Sequence, residues 1–167
     1  FAWQGGEPTL LGVEFFKKAV ELQNKYGSGK NIENAFQTNG VLLDDTWGTF
    51  FRENKFLIGL SIDGPEELHN KYRLNKSGIG SFKQVMKGLE YLKKHQVEFN
   101  TLTVLQRDNS QHPLEIYSFL KSIGSRYIQF IPIVERVSAK ATNGGLQLIP
   151  PDYKDEALVS EWSVLPE

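Results

Sequence analysis

The sequence predicts an α/β fold in which parallel strands alternate with helices, and three observations predict it. Apolar residues switch repeatedly between helical and strand spacing along the chain. Glycine, proline or asparagine turn signals separate these runs. The residues best suited to ligand chemistry fall where strands end, the end at which βα folds bind their ligands.

In chain order, Phe1-Ala2-Trp3-Gln4 reads as the end of a strand. Gly5-Gly6-Glu7-Pro8-Thr9 then describes a sharp strand-to-helix turn: glycine lets backbone approach a ligand, and proline suits the first helical turn. From Leu10 to Tyr26, Leu11, Phe15, Phe16, Ala19, Val20 and Leu22 recur at helical spacing, closed by Gly27. Asn31 to Thr38 is expected as a strand ending in the turn pair Asn39-Gly40. Asp44 or Asp45 caps a short helix bearing Trp47, Phe50 and Phe51. Phe56 to Asp63 is the clearest strand, with Ile58, Leu60 and Ile62 on one face and Gly59, Ser61 and Asp63 on the other. Gly64-Pro65 stops it, and a polar connection runs from Glu66 to Gly78. Gly80 or Ser81 opens a helix with Phe82, Val85, Met86, Leu89 and Leu92 in register. Val97 to Gln106 is a strand, Ser110 and Pro113 announce a helix ended by Gly124, and Tyr127 to Val134 is the last strand. Five strands alternating with helices imply parallel βαβ units with right-handed crossovers. Beyond Glu135 the pattern is lost: 138–145 reads as loop, Pro150-Pro151 as a break and Asp152 to Ser160 as a short helix.

Composition narrows the function. With 167 residues, 40% hydrophobic and 23% charged, the chain can bury one core. A net charge of −1 offers no electrostatic case for nucleic-acid binding. No apolar run has the length of a membrane span and no signal-peptide pattern is seen, so a cytoplasmic protein without a membrane partner is expected. Zero cysteines exclude disulfides and any cysteine-ligated zinc or iron–sulfur site within these residues. The opening in mid-strand reads as a segment of a longer polypeptide.

Among chemistry-bearing residues, His69, His95 and His112 lie far apart and are read as surface histidines. Asp44-Asp45 and Glu66-Glu67 suit caps and solvated loops. Gly78-Ile79-Gly80-Ser81 lacks the third glycine of a dinucleotide fingerprint and reads as a helix start. Glu7 is either an acidic helix-start residue or an acceptor for an ammonium. Arg73 is either an exposed loop charge or a planar donor that holds a carboxylate by two parallel bonds. Together Glu7 and Arg73 would suit the zwitterionic end of an amino acid.

Gly5-Gly6-Glu7-Pro8 at a strand end resembles the methionine-binding motif of radical S-adenosylmethionine enzymes. Gln4, Gln37-Thr38-Asn39-Gly40, Ser61-Ile62-Asp63-Gly64-Pro65, Arg73, Gly78-Ile79-Gly80-Ser81-Phe82 and Ile128-Gln129-Phe130-Ile131-Pro132 follow in an order similar to that of the anaerobic sulfatase-maturating enzymes. Trp162-Ser163-Val164 with Pro166-Glu167 is similar to the segment after the barrel in that family.

The resemblance implies a partial (β/α)6 barrel over residues 1–134, followed at 135–167 by a linker to a further domain. It implies S-adenosylmethionine and a four-iron four-sulfur (4Fe-4S) cluster as cofactors, and a sulfatase polypeptide as substrate. The implied reaction is oxidation of a cysteine or serine to Cα-formylglycine, begun by a 5′-deoxyadenosyl radical. Gly5, Gly6, Glu7 and Pro8 would bind the methionine amino group, and Ser61 and Arg73 its carboxylate. Backbone near Val134 would flank adenine, and Gln4 would face the peptide. No catalytic residue or metal ligand is assigned within the chain: the cluster's CxxxCxxC motif lies before the glycines in the family, and the cysteine-rich C-terminal domain is not in this sequence. The 167 residues alone are therefore expected to be inactive. Where the family often has aspartate after His69, this chain has Asn70. The alternatives are another peptide-modifying radical enzyme, or a non-catalytic βα domain that binds an amino acid or a phosphate.

Overall fold

The computed structural model describes residues 1–133 together with the strand pairs at 136–137 and 158–159. Strands β1 (Ala2–Trp3), β2 (Ala35–Thr38), β3 (Leu57–Ser61), β4 (Phe99–Leu105) and β5 (Ile128–Pro132) form one sheet in sequence order. Every neighbouring pair is parallel. Helices α1 (Val13–Tyr26), α2 (Asp45–Glu53), α3 (Glu66–Asn70), α4 (Phe82–Lys94) and α5 (Pro113–Ser122) fill the crossovers. Sequential parallel order is the singly wound arrangement of a barrel wall, as expected.

The β3 alternation decides which face is core. Ile58, Leu60 and Ile62 have no solvent exposure and pack against the helices. At one end they join Phe16, Phe36, Trp47, Phe50, Phe51 and Phe56, an aromatic cluster with ring centroids 4.9–6.3 Å apart. At the other end they meet Val85, Leu89, Ile116 and Leu120. The opposite face carries Gln4, Gln37, Gly59, Asn100 and Gln129, which line a shared hollow.

Several expectations are corrected. The helix expected from Leu10 is divided at Gly12 (φ +76°) into a 3-10 turn, Pro8–Leu11, and α1. Strand β2 begins at Ala35 rather than Asn31; just before it the Asn34 carbonyl accepts from Leu57 N (2.9 Å), and the Asn34 side chain accepts from Trp3 Nε1 and Gln23 Nε2. The polar connection contains α3, a helix too short to show a period in sequence. Leu158–Val159, inside the stretch read as a short helix, form strand β7 against β6 (Arg136–Val137). Val134, the loop at 138–145, Pro150-Pro151 and the motif at 162–167 lie outside the described residues.

Candidate functional site

The carboxyl ends of β1, β2 and β3 assemble the site. After β1, Gly5 (φ +103°) and Gly6 (φ +57°) take conformations that L side chains rarely adopt. A Cβ at either would meet nothing within 4 Å, so the turn is bare backbone beside open space. Glu7 follows and ties the first two strand ends together. Its Oε1 accepts from Thr9 N (3.1 Å), Thr9 Oγ1 (2.7 Å) and Thr38 Oγ1 (2.7 Å). Its Oε2 accepts from Asn39 N (2.7 Å), which leaves that oxygen a lone pair with no partner among the described residues. Pro8 occupies the first position of the turn that Glu7 caps.

At β3, Ser61 Oγ accepts from Gln37 Nε2 at 3.0 Å, which leaves its hydroxyl hydrogen available for donation. Gln37 reaches across only because residue 59 is glycine: a Cβ there would stand 2.0 Å from Gln37 Oε1. Gln4 lies in the same hollow as Gln37.

Arg73 does not lie free over the cleft. Its Nε donates to Asp63 Oδ2 (2.5 Å) and its Nη2 to Asp63 Oδ1 (3.1 Å). Asp63 is 1% exposed and also accepts from Val104 N (2.8 Å). The buried carboxylate thus ends the β3–β4 ladder and aims the guanidinium, leaving Nη1 without a partner among the described residues. The acceptor for Arg73 within the chain, Asp63, is a residue that sequence reasoning placed in the cleft but gave no task. The spacing signal was present, since Asp63 and Arg73 flank one short polar connection.

His69 corrects the surface reading: it is fully buried. Nδ1 accepts from Asp63 N (3.2 Å), and Nε2 bonds Ser81 Oγ (3.1 Å). Burial first, then the Arg73 charge, lower its pKa to about 4, against a smaller opposing pull from Asp63. The polar neighbours of His69 in sequence hid its packing against Phe82. Asn70 has a defined place as well, for its Oδ1 accepts from Phe82 N at 3.0 Å and caps α4. Ser81, one of the two residues expected to open the helix, stands at its start but makes no capping bond with its side chain, which donates to the Arg73 carbonyl (2.9 Å). Nearby, Lys71 (2.6 Å) and the Tyr72 hydroxyl engage Asp108, and in that order hold its carboxyl below the usual range.

Chemically, these strand ends offer acceptors beside an open glycine turn, then a hydroxyl donor and an oriented guanidinium. Among the described residues no group of three or more His, Asp or Glu could hold a metal ion, and the chain has no cysteine. No helix among them is long and apolar enough to cross a membrane.

The model of the radical SAM superfamily matches residues 1–120. The chain is 48% identical over 167 residues to the serine-type anaerobic sulfatase-maturating enzyme of Bacteroides thetaiotaomicron, covering 100% of this chain and 40% of that protein. It is 42% identical over 154 residues to a cysteine-type anaerobic sulfatase-maturating enzyme of Clostridium perfringens, covering 92% and 42%. Among solved structures, native anSMEcpe with bound AdoMet matches with a TM-score of 0.77 and 43% identity, over 84% of this chain and 40% of that one. The same protein with bound AdoMet and the Cp18Cys peptide matches equally, at a TM-score of 0.77. The chain therefore spans about 40% of the length of the relatives it matches.

Proposed function

Because this chain belongs to the radical SAM superfamily, we propose that it is the S-adenosylmethionine-binding core of an anaerobic sulfatase-maturating enzyme. That enzyme oxidises a cysteine or serine of a sulfatase polypeptide to Cα-formylglycine. The observation that carries the reading is the placement of Glu7 after β1 and Ser61 at the end of β3, on one parallel sheet, with Arg73 held by Asp63 just beyond β3. The similarity to both serine-type and cysteine-type relatives supports it. A cytoplasmic location and the absence of nucleic-acid and membrane partners belong to the same proposal, as does a barrel core over 1–134 followed by a linker at 135–167.

The residues suit the amino-acid end of S-adenosylmethionine. The bare turn at Gly5 and Gly6 admits a close approach to backbone carbonyls, and Pro8 fixes the exit of that turn. Glu7 Oε2 accepts from the ammonium, while Ser61 Oγ and Arg73 donate to the carboxylate. Backbone near Val134 flanks the adenine, and Gln4, in the hollow of the open sheet face, meets the peptide. When bound beside a 4Fe-4S cluster, S-adenosylmethionine supplies an alkyl radical. Thiolate ligands for such a cluster are not among these 167 residues, so the cluster belongs to the rest of the proposed enzyme. The task of this chain is to bind, orient and hold the charged groups of the nucleoside cofactor.

The test is anaerobic reconstitution of the full-length protein with S-adenosylmethionine and a sulfatase-derived peptide, read by mass spectrometry. Formylglycine with 5′-deoxyadenosine is expected. Release of 5′-deoxyadenosine without formylglycine would reassign the protein to another peptide-modifying radical enzyme. Absence of S-adenosylmethionine binding would leave a non-catalytic βα module.

A further inference from the structure

Behind the guanidinium stands a buried histidine that the proposed function leaves without a role. Burying an imidazole is unfavourable unless both ring nitrogens find partners, and in His69 both do. Asp63 N–H can only donate, so Nδ1 is an acceptor and the hydrogen of the neutral ring is on Nε2. Nε2 then donates to Ser81 Oγ, whose own hydrogen goes to the Arg73 carbonyl. The direction of the whole series follows from its first member.

The two ends of that series are the two halves of the Asp63–Arg73 pair. The pair joins their side chains, and His69 with Ser81 joins their backbones, so the four residues close a ring. Backbone bonds tighten it: Arg73 N donates to the His69 carbonyl and Ser81 N to the Arg73 carbonyl, both at 3.0 Å. An arginine on a free stem loses rotamer freedom when it binds an anion, whereas one braced from behind has already lost it.

We propose that His69 is a positioning residue for S-adenosylmethionine, setting the Arg73 guanidinium against the amino-acid carboxylate through Asp63 and Ser81 without touching the ligand. The inference rests on the cofactor reading of the proposed function. A protonated ring would present a second donor to Asp63 N–H and break the series. Burial and the neighbouring Arg73 charge both favour the neutral ring.

The experiment is calorimetric titration of the anaerobically reconstituted full-length protein with S-adenosylmethionine, S-adenosylhomocysteine and 5′-deoxyadenosine. The first two carry the carboxylate and the third does not. His69→Phe keeps an aromatic ring and removes both bonds, while Ser81→Ala cuts the series and leaves the histidine in place. His69→Phe is expected to weaken the two carboxylate ligands about tenfold and 5′-deoxyadenosine less than about twofold. Ser81→Ala should show a smaller loss with the same selectivity, and His69→Phe added to Arg73→Gln no further loss. Equal weakening of all three ligands, or unchanged affinity in folded His69→Phe protein, would reduce His69 to packing and overturn the proposal. Should His69→Phe not fold, unchanged carboxylate-ligand affinity in Ser81→Ala overturns it alone. Wild-type protein that binds no S-adenosylmethionine would refute the proposed function itself, and this inference with it.

Discussion

Glu7 unites the two readings its sequence context allowed. It caps the turn Pro8–Leu11 through Thr9 N, as an acidic helix-start residue should, and it still presents an open lone pair on Oε2. The two roles separate by mutation. In Glu7→Gln the amide can serve Thr9 and Thr38 through its oxygen, but its NH2 then faces the Asn39 N–H. S-adenosylmethionine binding should weaken by about 1.5–3 kcal/mol, the range for a hydrogen bond to a charged group. Thr38→Val leaves the carboxylate intact and removes a hydroxyl that also accepts from Gly40 N. It should destabilise the fold by about 1–2 kcal/mol in urea titration and change cofactor affinity little. Equal affinity losses in both variants would mean that Glu7 acts only by holding the turn.

Helix α4 shows how an element can be legible while its constraints are not. Its apolar register was plain, since Val85, Leu89 and Leu92 recur at helical spacing and all are buried. Invisible was Gly88, where a Cβ would lie 2.1 Å from the Gly40 backbone oxygen. The helix thus packs directly on the turn that follows β2. Alanine at an ordinary exposed helix position gains about 1 kcal/mol over glycine. Here a backbone atom must move, and overpacking of about 1–3 kcal/mol outweighs that gain. Gly88→Ala should therefore lower the urea midpoint despite its better helix propensity. Gly59→Ala meets only the flexible end of Gln37, so it should alter stability far less while displacing Gln37 from Ser61. Asn70 belongs to the same class of hidden constraint: its capping of Phe82 N links residues 12 apart, beyond any local capping pattern.

Across the molecule, parallel strands followed from the alternation of strands with helices, the barrel order from the family resemblance and the core face from alternation on β3, and the strand ends carrying Gly5, Gly6, Glu7 and Ser61 were legible in advance. The ring of Asp63, His69, Ser81 and Arg73 was not. Its bonds run between a strand end, a five-residue helix and the start of α4, and no period or spacing encodes such a meeting. That ring gives global stability a pH dependence whose sign can be worked out. The His69 pKa falls from 6.5 to about 4 in the folded state, so between those values the unfolded chain binds more protons. Stability from this residue is fully present above pH 6.5 and is lost as pH falls toward 4. A shift of that size corresponds to a loss on the order of 3 kcal/mol across the window. Carboxylates titrate in the same range, so the comparison must cancel them. Urea unfolding of wild type and His69→Phe, at pH 7 and again at pH 4.5, does so. His69→Phe should be the less stable protein at pH 7, and the gap should narrow by about 2–3 kcal/mol at pH 4.5. A gap that stays constant would mean that His69 does not titrate between the two states, contrary to a neutral ring held by Asp63 N–H and Ser81.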